Sequence, residues 1–173
     1  MNKKDTVVFD LDGTLLDTLE DLKNSVNYAM TQCGYPEHTL DEVRRYVGNG
    51  ILLLMQRAIP GGKDDPNFDK AFTLFKEHYG KHCNDTTKSY AGIMELLHTL
   101  KENNIKIAIV SNKADFAVKE LNAIYFKDLI PVAIGEKESE GIRKKPAPDT
   151  VIEALKQLGS TAENSVYIGD SDV

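Results

Sequence analysis

The stretch that decides the fold is Val7-Val8-Phe9-Asp10-Leu11-Asp12-Gly13-Thr14-Leu15. Its three β-favouring residues predict a short buried strand, and the Asp-Gly pair predicts the abrupt end of that strand. Alternation along an extended segment would place Asp10 and Asp12 on the same side. Two carboxylates that close together repel each other, so a cation is needed to hold them. The segment therefore predicts a site where one aspartate is a metal ligand and nucleophile while the other transfers a proton.

Two other structures are compatible with this stretch. An Asp-Gly dipeptide commonly joins the strands of a hairpin, but Leu15 and Leu16 predict the start of a helix. A calcium loop of the EF-hand kind also begins Asp-x-Asp, and it needs further oxygen ligands and a closing Glu at its twelfth position. Counted from Asp10, the twelfth position is Asp21 and not Glu. The fifth position, where a third ligand would be expected, is Thr14. The rest of the chain has to decide between these structures and a catalytic site.

Length and composition predict a globular protein. A chain of 173 residues with 41% hydrophobic residues can bury a substantial core, as one large domain or as a domain with an insertion. The net charge of −6 argues against nucleic acid or an anionic membrane as an obligatory partner. Cys33 and Cys83 have no metal-binding spacing, so we interpret them as reduced packing residues of a cytoplasmic protein. The sequence predicts neither a signal peptide nor a membrane span.

Residues 17–85 are predicted to form an all-helical insertion, because no segment within them has a confident strand pattern. Apolar residues recur at three- and four-residue steps from Leu19 to Cys33. Thr39 is followed three residues later by Glu42, which is the pattern of a capping box at a helix start. Further helical periodicity covers residues 51–59 and 68–79, with a loop rich in Pro and Gly between them.

From Ser89 onward, predicted strands alternate with predicted helices. Such alternation predicts an α/β fold, a doubly wound parallel sheet with a Rossmann-like core and helices on both faces. We assign residues 1–16 and 86–173 to this core and residues 17–85 to the inserted helical domain. The predicted strands after the insertion are 105–110, 132–134 and 165–168, and the predicted helices are 93–100, 116–124 and 151–158.

Polar side chains follow three of the predicted strands. Asp10 follows the first, the run Ser111-Asn112-Lys113 follows the second, and Asp170 follows the last. In doubly wound sheets, ligands bind beyond the carboxyl ends of the strands, where the strand order reverses. These side chains are therefore expected at one edge of the sheet, which favours the catalytic interpretation of the first segment.

Four segments occur in order along the chain: Phe9-Asp10-Leu11-Asp12-Gly13-Thr14, Val110-Ser111-Asn112-Lys113, Lys144-Lys145-Pro146-Ala147-Pro148-Asp149 and Ile168-Gly169-Asp170-Ser171-Asp172. In this order they resemble the motifs of the haloacid dehalogenase-like phosphohydrolases. The resemblance implies a Mg²⁺-dependent phosphatase that acts through an aspartyl-phosphate. In the helical insertion, Tyr46-Val47-Gly48-Asn49-Gly50 followed by Leu54-Met55-Gln56-Arg57-Ala58 resembles the phosphoglycolate phosphatase branch of that family.

The resemblance implies a role for each matched residue. Asp10 would attack phosphorus, and Asp12 would protonate the leaving alkoxide and later deprotonate the attacking water. Mg²⁺ would be bound by the Asp10 carboxylate, the Asp12 backbone carbonyl and Asp170, an all-oxygen donor set that suits a hard cation. Relatives that cleave carbon–halogen or carbon–phosphorus bonds typically lack an acid at the position of Asp12, so phosphoester chemistry is expected.

Three further residues are implied to bind the phosphate group: Ser111, Asn112 and Lys145. Backbone amides after Asp10 and around Asn112 would complete the cradle. Each residue has a plainer explanation, because Ser111 could cap the following helix and a lysine in this basic loop could be a solvated charge. Lys145 is chosen because it directly precedes a proline, as in the family pattern, and Lys144 remains an alternative.

The helical insertion resembles the cap of this family, which would close over the substrate and exclude water. Within it, the loop Gly48-Asn49-Gly50 is the candidate for contacting the non-phosphate end of the substrate, although it could be a plain turn between helices. His78 and His82 lie one helical turn apart, and we interpret them as a surface pair and not a metal site.

The resemblance also implies a longer core. The family has a second acidic residue, a helix and at least one more strand beyond the position of Val173, so we expect this core to be C-terminally incomplete. Counted by motif, the strand order should be fourth, first, second, third, with residues 166–168 in an exposed edge strand. The expected partner is a small phosphorylated metabolite. Alternatives are a pyrophosphatase or sugar-phosphate phosphatase of the same branch, or a catalytically silent phosphate- or partner-binding module.

Overall fold

The structure is a computed structural model that describes residues 4–171. It divides into two compact units, which we call the α/β unit (Met1–Asp17 with Ser89–Val173) and the helical unit (Thr18–Lys88). In chain order the elements are β1 (Thr6–Phe9), β2 (Leu16–Asp17), α1 (Leu19–Gln32), α2 (Leu40–Tyr46), α3 (Ile51–Ala58), α4 (Phe68–His82), β3 (Lys88–Ser89), α5 (Ile93–Glu102), β4 (Lys106–Ala114), α6 (Asp115–Tyr125), β5 (Val132–Glu136), α7 (Asp149–Leu158) and β6 (Ser165–Ile168). Short 3₁₀ turns lie at Gly62–Asp64, Glu138–Glu140 and Ala162–Asn164.

The α/β unit contains a parallel sheet of four strands in the order β5–β4–β1–β6. Val8 in β1 lies beside Ala108 in β4 on one side and beside Tyr167 in β6 on the other. The predicted order, counted by motif, is therefore confirmed, and β6 is an edge strand with partly exposed side chains. Strands β2 and β3 form a separate two-stranded sheet.

Both faces of the central strands are buried, as expected for a parallel sheet covered by helices. Alternate residues such as Phe9 and Ile109 join a cluster with Leu121 of α6, whereas Val8 joins a cluster with Leu155 of α7. Burial of several large apolar side chains on each face, at about 1.5–3 kcal/mol for each one, fixes the sheet and hence the positions of its carboxyl ends.

Two boundaries in the α/β unit differ from the sequence-based expectation. Strand β4 continues to Ala114 through an irregularity in its register with β5 after Val110, so Ser111 lies within the strand and not after it. The prediction that a helix starts at Leu15 and Leu16 is wrong, because α1 begins at Leu19. Both leucines are fully buried in the apolar cluster of the α/β unit, and this tertiary burial outweighs their helical preference.

The helical unit is built from α1 to α4 around one apolar cluster. Residues such as Val26, Met30 and Phe75 are fully buried in that cluster. The predicted capping box is present at the start of α2. The hydroxyl of Thr39 accepts a hydrogen bond from the backbone of Glu42, whose carboxylate accepts one from the backbone of Thr39.

The cysteines and the helix lengths agree with the composition. Among residues 4–171, Cys33 and Cys83 form no disulfide, and Cys83 is buried in the cluster of the helical unit. Across residues 4–171, the helices all fall short of the length and apolar character that crossing a membrane would require.

A buried carboxylate ties the two ends of the helical unit together. Asp21, in the first turn of α1, is only 1% exposed. Its two oxygens accept hydrogen bonds from the backbone amides and hydroxyls of Thr86 and Thr87, at 2.6–3.1 Å. Burial alone would raise the pKa of Asp21, but these hydrogen bonds outweigh burial and hold the pKa below its usual value.

Replacement of this carboxylate is expected to destabilise the helical unit. Asp21→Asn should lower the free energy of unfolding at pH 7 by about 2–3 kcal/mol, because an amide group cannot accept from so many donors at once. Since the folded pKa is depressed, the carboxylate's contribution is present above its unfolded pKa of about 3.9 and is lost as the pH falls through the folded pKa. Urea unfolding at pH 7 and at about pH 3 measures both effects.

The exposed Glu77 in α4 provides the matched control. Glu77→Gln removes a carboxylate from the same unit and should change the free energy of unfolding by less than about 0.5 kcal/mol. If Asp21→Asn is no more destabilising than Glu77→Gln, the buried carboxylate does not hold the unit together.

Candidate active site

The site begins where β1 ends. The Asp10 amide donates to the carbonyl of Ile168 at 2.8 Å, so β1 and β6 are still joined at this position. The Asp10 side chain is buried, since the residue is only 8% exposed. Its Oδ1 accepts a hydrogen bond from the Leu11 amide at 2.7 Å. The segment that follows is a tight turn, in which the Leu11 carbonyl accepts from the amides of Leu15 and Leu16. No hairpin forms here, since the sheet partners of β1 are β4 and β6.

The buried Lys145, 135 residues further along the chain, contacts Asp10, the candidate nucleophile. Lys145 Nζ donates to Asp10 Oδ2 at 2.6 Å and contacts the Tyr167 hydroxyl oxygen at 2.7 Å. The adjacent Lys144 instead pairs with Glu138 in an exposed ion pair. Of the two lysines that the sequence left open, Lys145 is therefore the one beside Asp10.

The electrostatics of this cluster follow from its burial. Burial raises the pKa of Asp10, against the opposing effect of the Lys145 ammonium and with a smaller contribution from the charge of Asp12. Burial also raises the pKa of the Tyr167 hydroxyl, and the charges of Asp10 and Asp170 add to this effect. The Tyr167 hydroxyl therefore keeps its proton at neutral pH.

Asp12 is paired with a second buried lysine, Lys113. Lys113 is buried in β4, and its Nζ donates to Asp12 Oδ1 at 2.9 Å. A buried ammonium group requires such a partner to offset its lost hydration. The pair Lys113–Asp12 therefore fixes the direction of the carboxylate that the sequence assigns to proton transfer.

The remaining polar residues of β4 support the lysines. The side chain of Asn112 accepts from the Lys145 amide at 2.9 Å and donates to the Lys145 carbonyl at 3.1 Å. Ser111 Oγ accepts from the Lys113 amide at 3.3 Å. The helix-cap explanation for Ser111 is wrong, because α6 begins at Asp115 and its N-cap residue is Ala114.

Asp170 lies against the turn after β1. Asp170 Oδ1 accepts from Thr14 Oγ1 at 3.4 Å. Gly13 has a φ of 78°, and a Cβ atom there would lie 2.2 Å from Asp170 Oδ2. Only glycine at this position allows the Asp170 carboxylate to approach the turn so closely.

The donor set can be compared with what a hard cation needs. Among residues 4–171, no three His, Cys, Asp or Glu side chains converge to hold a metal ion. The predicted set of Asp10, Asp12 and Asp170 is thus not a cluster of three carboxylates, and the Asp12 carboxylate is engaged by Lys113. The resemblance assigns the carbonyl of Asp12 to the metal, and two carboxylates with a carbonyl are oxygen donors of the kind that Mg²⁺ binds.

Sequence reasoning missed two residues of this cluster. The sequence indicates no role for Lys113 beyond its place in the second motif, because its burial follows from the extension of β4 to Ala114. The only sequence signal for Tyr167 is its position two residues before Gly169 and three before Asp170, near the end of β6.

Two other predicted features lie in the helical unit. His78 Nδ1 is 3.0 Å from Ser25 Oγ, and His82 Nδ1 is 2.7 Å from Asp85 Oδ2, with the two imidazole rings stacked. In the loop Gly48-Asn49-Gly50, the Asn49 side chain accepts a hydrogen bond from Arg57, which also donates to the carbonyl of Tyr46.

Comparisons with known proteins agree on the family. The family model of haloacid dehalogenase-like hydrolases matches residues 7–173. The chain is 32% identical over 171 residues to the phosphoglycolate phosphatase of Pseudomonas putida, covering 95% of the chain and 62% of that relative. It is 32% identical over 170 residues to the phosphoglycolate phosphatase of Aquifex aeolicus, covering 96% of the chain and 76% of that relative.

A solved structure agrees as well. The crystal structure of a candidate phosphoglycolate phosphatase from Lactobacillus delbrueckii subsp. bulgaricus has 34% sequence identity and a TM-score of 0.87, covering 98% of this chain and 79% of that one. The chain thus spans less than the full length of these relatives. With the family model, the sequence identities and the shared fold in agreement, the chain belongs to the haloacid dehalogenase-like hydrolases, and the relatives named here are phosphatases of that family.

Proposed function

We propose that the protein hydrolyses a small phosphomonoester through an aspartyl-phosphate intermediate, with Mg²⁺, and that it is phosphoglycolate phosphatase-like. The observation that carries the proposal is the buried Asp10 carboxylate at the carboxyl end of β1, with one oxygen held by the Leu11 amide and the other beside Lys145. The names of the two curated relatives support phosphoglycolate as the substrate. A cytoplasmic location is proposed because the two cysteines, Cys33 and Cys83, form no disulfide.

The chemistry is divided between the two aspartates. An oxygen of Asp10 attacks phosphorus, the bond to the leaving alkoxide breaks, and Asp12 gives its proton to that alkoxide. In the second half, Asp12 takes a proton from water as the water attacks the acyl phosphate. Inorganic phosphate leaves, and the Asp10 carboxylate is restored. The Lys113 contact would hold Asp12 in place through both halves.

The phosphate group would be held by residues that already converge on Asp10. Lys145 would donate to a non-reacting phosphate oxygen, where negative charge builds up in the transition state. Ser111 would add its hydroxyl. The side chain of Asn112 is used on the Lys145 backbone, so we propose that Asn112 contributes through its backbone amide and by positioning Lys145.

The implied metal fits the oxygen donors at this edge of the sheet. Mg²⁺ would be held by the Asp10 carboxylate, the Asp12 carbonyl and Asp170. When bound, it would offset the repulsion between the Asp10 carboxylate and the phosphate dianion. Gly13 matters to this proposal because it lets Asp170 lie against the turn that carries the other two donors.

Selectivity is assigned to the helical unit. We propose that this unit acts as a cap and that the loop Gly48-Asn49-Gly50 contacts the non-phosphate end of the substrate. Support for the loop comes from its shape, since Gly48 and Gly50 both have positive φ and Arg57 holds Asn49 in place. A small charged substrate end would suit such a polar loop.

Phosphate release from a substrate panel tests the proposal. The panel contains 2-phosphoglycolate, an aryl phosphate, a sugar phosphate and pyrophosphate, each measured with Mg²⁺ and after removal of divalent metal by EDTA. We expect metal-dependent release with the highest kcat/KM for 2-phosphoglycolate. A preference for pyrophosphate or the sugar phosphate would assign another substrate in the same branch. Phosphate binding without any turnover would show a silent binding module and contradict the proposal.

The two adjacent lysines give a matched pair of variants. Lys145→Met should lower kcat/KM for the aryl phosphate by about 100-fold, because a donor aimed at the transferring phosphoryl group is lost. Lys144→Met removes the same charge from an exposed ion pair and should leave kcat/KM within about twofold of wild type. Steady-state kinetics measures both, and equal losses would show that the effect comes from net charge and not from the contact with Asp10.

A further inference from the structure

Tyr167 lies where β6 meets the candidate active site. It is paired with Val8 of β1, and Asp10 follows Val8 by two residues, so the Tyr167 and Asp10 side chains emerge on the same face of the sheet. Gly169 leaves room for the ring. A Cβ atom there would lie 3.1 Å from Tyr167 Cε1 and 3.5 Å from Asp10 Cβ. The phenol ring therefore occupies the space between the end of β6 and the nucleophile candidate.

The contact with Lys145 determines the direction of the tyrosine proton. A lysine ammonium group has three donors and no acceptor, so in the 2.7 Å contact the Tyr167 oxygen must accept. Its own O–H hydrogen must then point elsewhere. Within residues 4–171, Tyr167 has no second hydrogen-bond partner. Tyr167 is 37% exposed, so the residue is partly accessible from solvent.

We propose that Tyr167 is a further phosphate-binding residue, which accepts a hydrogen bond from Lys145 and donates its own to a non-reacting oxygen of the substrate phosphate. This inference rests on the proposed function, because it assumes that a phosphate group binds beside Asp10 and Lys145. The arrangement aims two neighbouring donors at one anionic group, since Lys145 and Tyr167 are already joined to each other. Phosphate oxygens are strong acceptors that can be shared by several such donors.

Tyr167→Phe tests the role of the hydroxyl, because it keeps the ring and the ring's contact with the Lys145 ammonium, 5.4 Å from the ring centroid. We expect KM for the aryl phosphate and Ki for inorganic phosphate to rise by about tenfold, because both constants depend on binding of the phosphate group that the hydroxyl would contact. The control is Tyr125→Phe in α6, which should change neither constant. Unchanged KM and Ki in Tyr167→Phe would overturn the inference.

Measurements in the Lys145→Met variant distinguish a direct contact between Tyr167 and phosphate from an effect transmitted through Lys145. If Tyr167 touches the phosphate, Tyr167→Phe should still raise Ki for inorganic phosphate when added to Lys145→Met. If the tyrosine only positions Lys145, the added substitution has no effect, and this result would overturn direct binding.

The same measurements distinguish this inference from the proposed function. Calorimetric titration of the wild-type chain with inorganic phosphate does not require turnover. A wild-type chain that binds phosphate without hydrolysis contradicts the proposed function, while a tenfold weaker Kd in Tyr167→Phe would still support the tyrosine contact. A wild-type chain that neither hydrolyses phosphomonoesters nor binds phosphate overturns both.

Discussion

Asp10→Asn is expected to lower kcat for phosphomonoester hydrolysis by about 10⁴-fold or more, since an amide oxygen is a poor nucleophile toward phosphorus. The substitution keeps the size of the side chain and one oxygen for the Leu11 amide or Lys145. The effect should appear in kcat/KM as well as kcat, because the first chemical step is the one lost. Initial rates with the aryl phosphate at saturating Mg²⁺ measure it.

Two further measurements connect this loss to covalent chemistry. Acid-quenched wild-type protein should carry an acyl phosphate that hydroxylamine cleaves, whereas Asp10→Asn should carry none. The exposed Asp128 serves as the control position, and Asp128→Asn should retain wild-type kcat. Circular dichroism and thermal unfolding check that Asp10→Asn is folded, since the substitution leaves the buried Lys145 ammonium without its carboxylate. Wild-type turnover in pure Asp10→Asn protein would refute the nucleophile assignment.

Asp12→Asn should have the second largest effect, and its size should depend on the leaving group. For an alkyl phosphate such as 2-phosphoglycolate, we expect kcat/KM to fall by about 10³-fold, because the departing alkoxide needs a proton. For an aryl phosphate, whose leaving group is a much weaker base, kcat/KM should fall by less than about tenfold. The ratio of the two losses identifies the general acid more securely than either loss alone.

The second half-reaction gives an independent check on Asp12. With the aryl phosphate, loss of the base that activates water should leave hydrolysis of the intermediate slow, so Asp12→Asn should release one equivalent of phenol in a burst before slow turnover. Asp12→Asn also leaves the buried Lys113 ammonium without its carboxylate, so circular dichroism and thermal unfolding check that this variant is folded. Equal losses of kcat/KM for both substrates, or turnover without a burst, would contradict a proton-transfer role.

Several features of the fold were predictable because they depend on the residues of short, continuous segments. The strand before Asp10, the capping box at Thr39 and the helical insertion each depend on residues within one or two turns of chain. The strand order followed from the motif order, and the edge position of β6 followed with it. Asp10 and Asp170 also indicated the candidate site, because polar residues that follow buried strands are expected at one edge of a parallel sheet.

The pairing of charges within the site could not be predicted in this way. The contact between Lys145 and Asp10 joins residues 135 positions apart, and that between Lys113 and Asp12 joins residues 101 positions apart. Sequence spacing carries no information on which of two neighbouring lysines turns inward. The tertiary structure decides this, because the Asn112 side chain binds the backbone amide and carbonyl of Lys145 while the Lys145 ammonium contacts Asp10.

The sequence by itself determined the α/β class and the short buried strand that precedes Asp10, since both are encoded by local periodicity and residue type. Only the tertiary structure decided that β4 continues through Ser111 to Ala114, that Lys113 serves Asp12, and that Tyr167 lies beside Lys145. The physical reason is that buried charges are stable only when paired, and their partners are chosen by packing between strands that are distant along the chain.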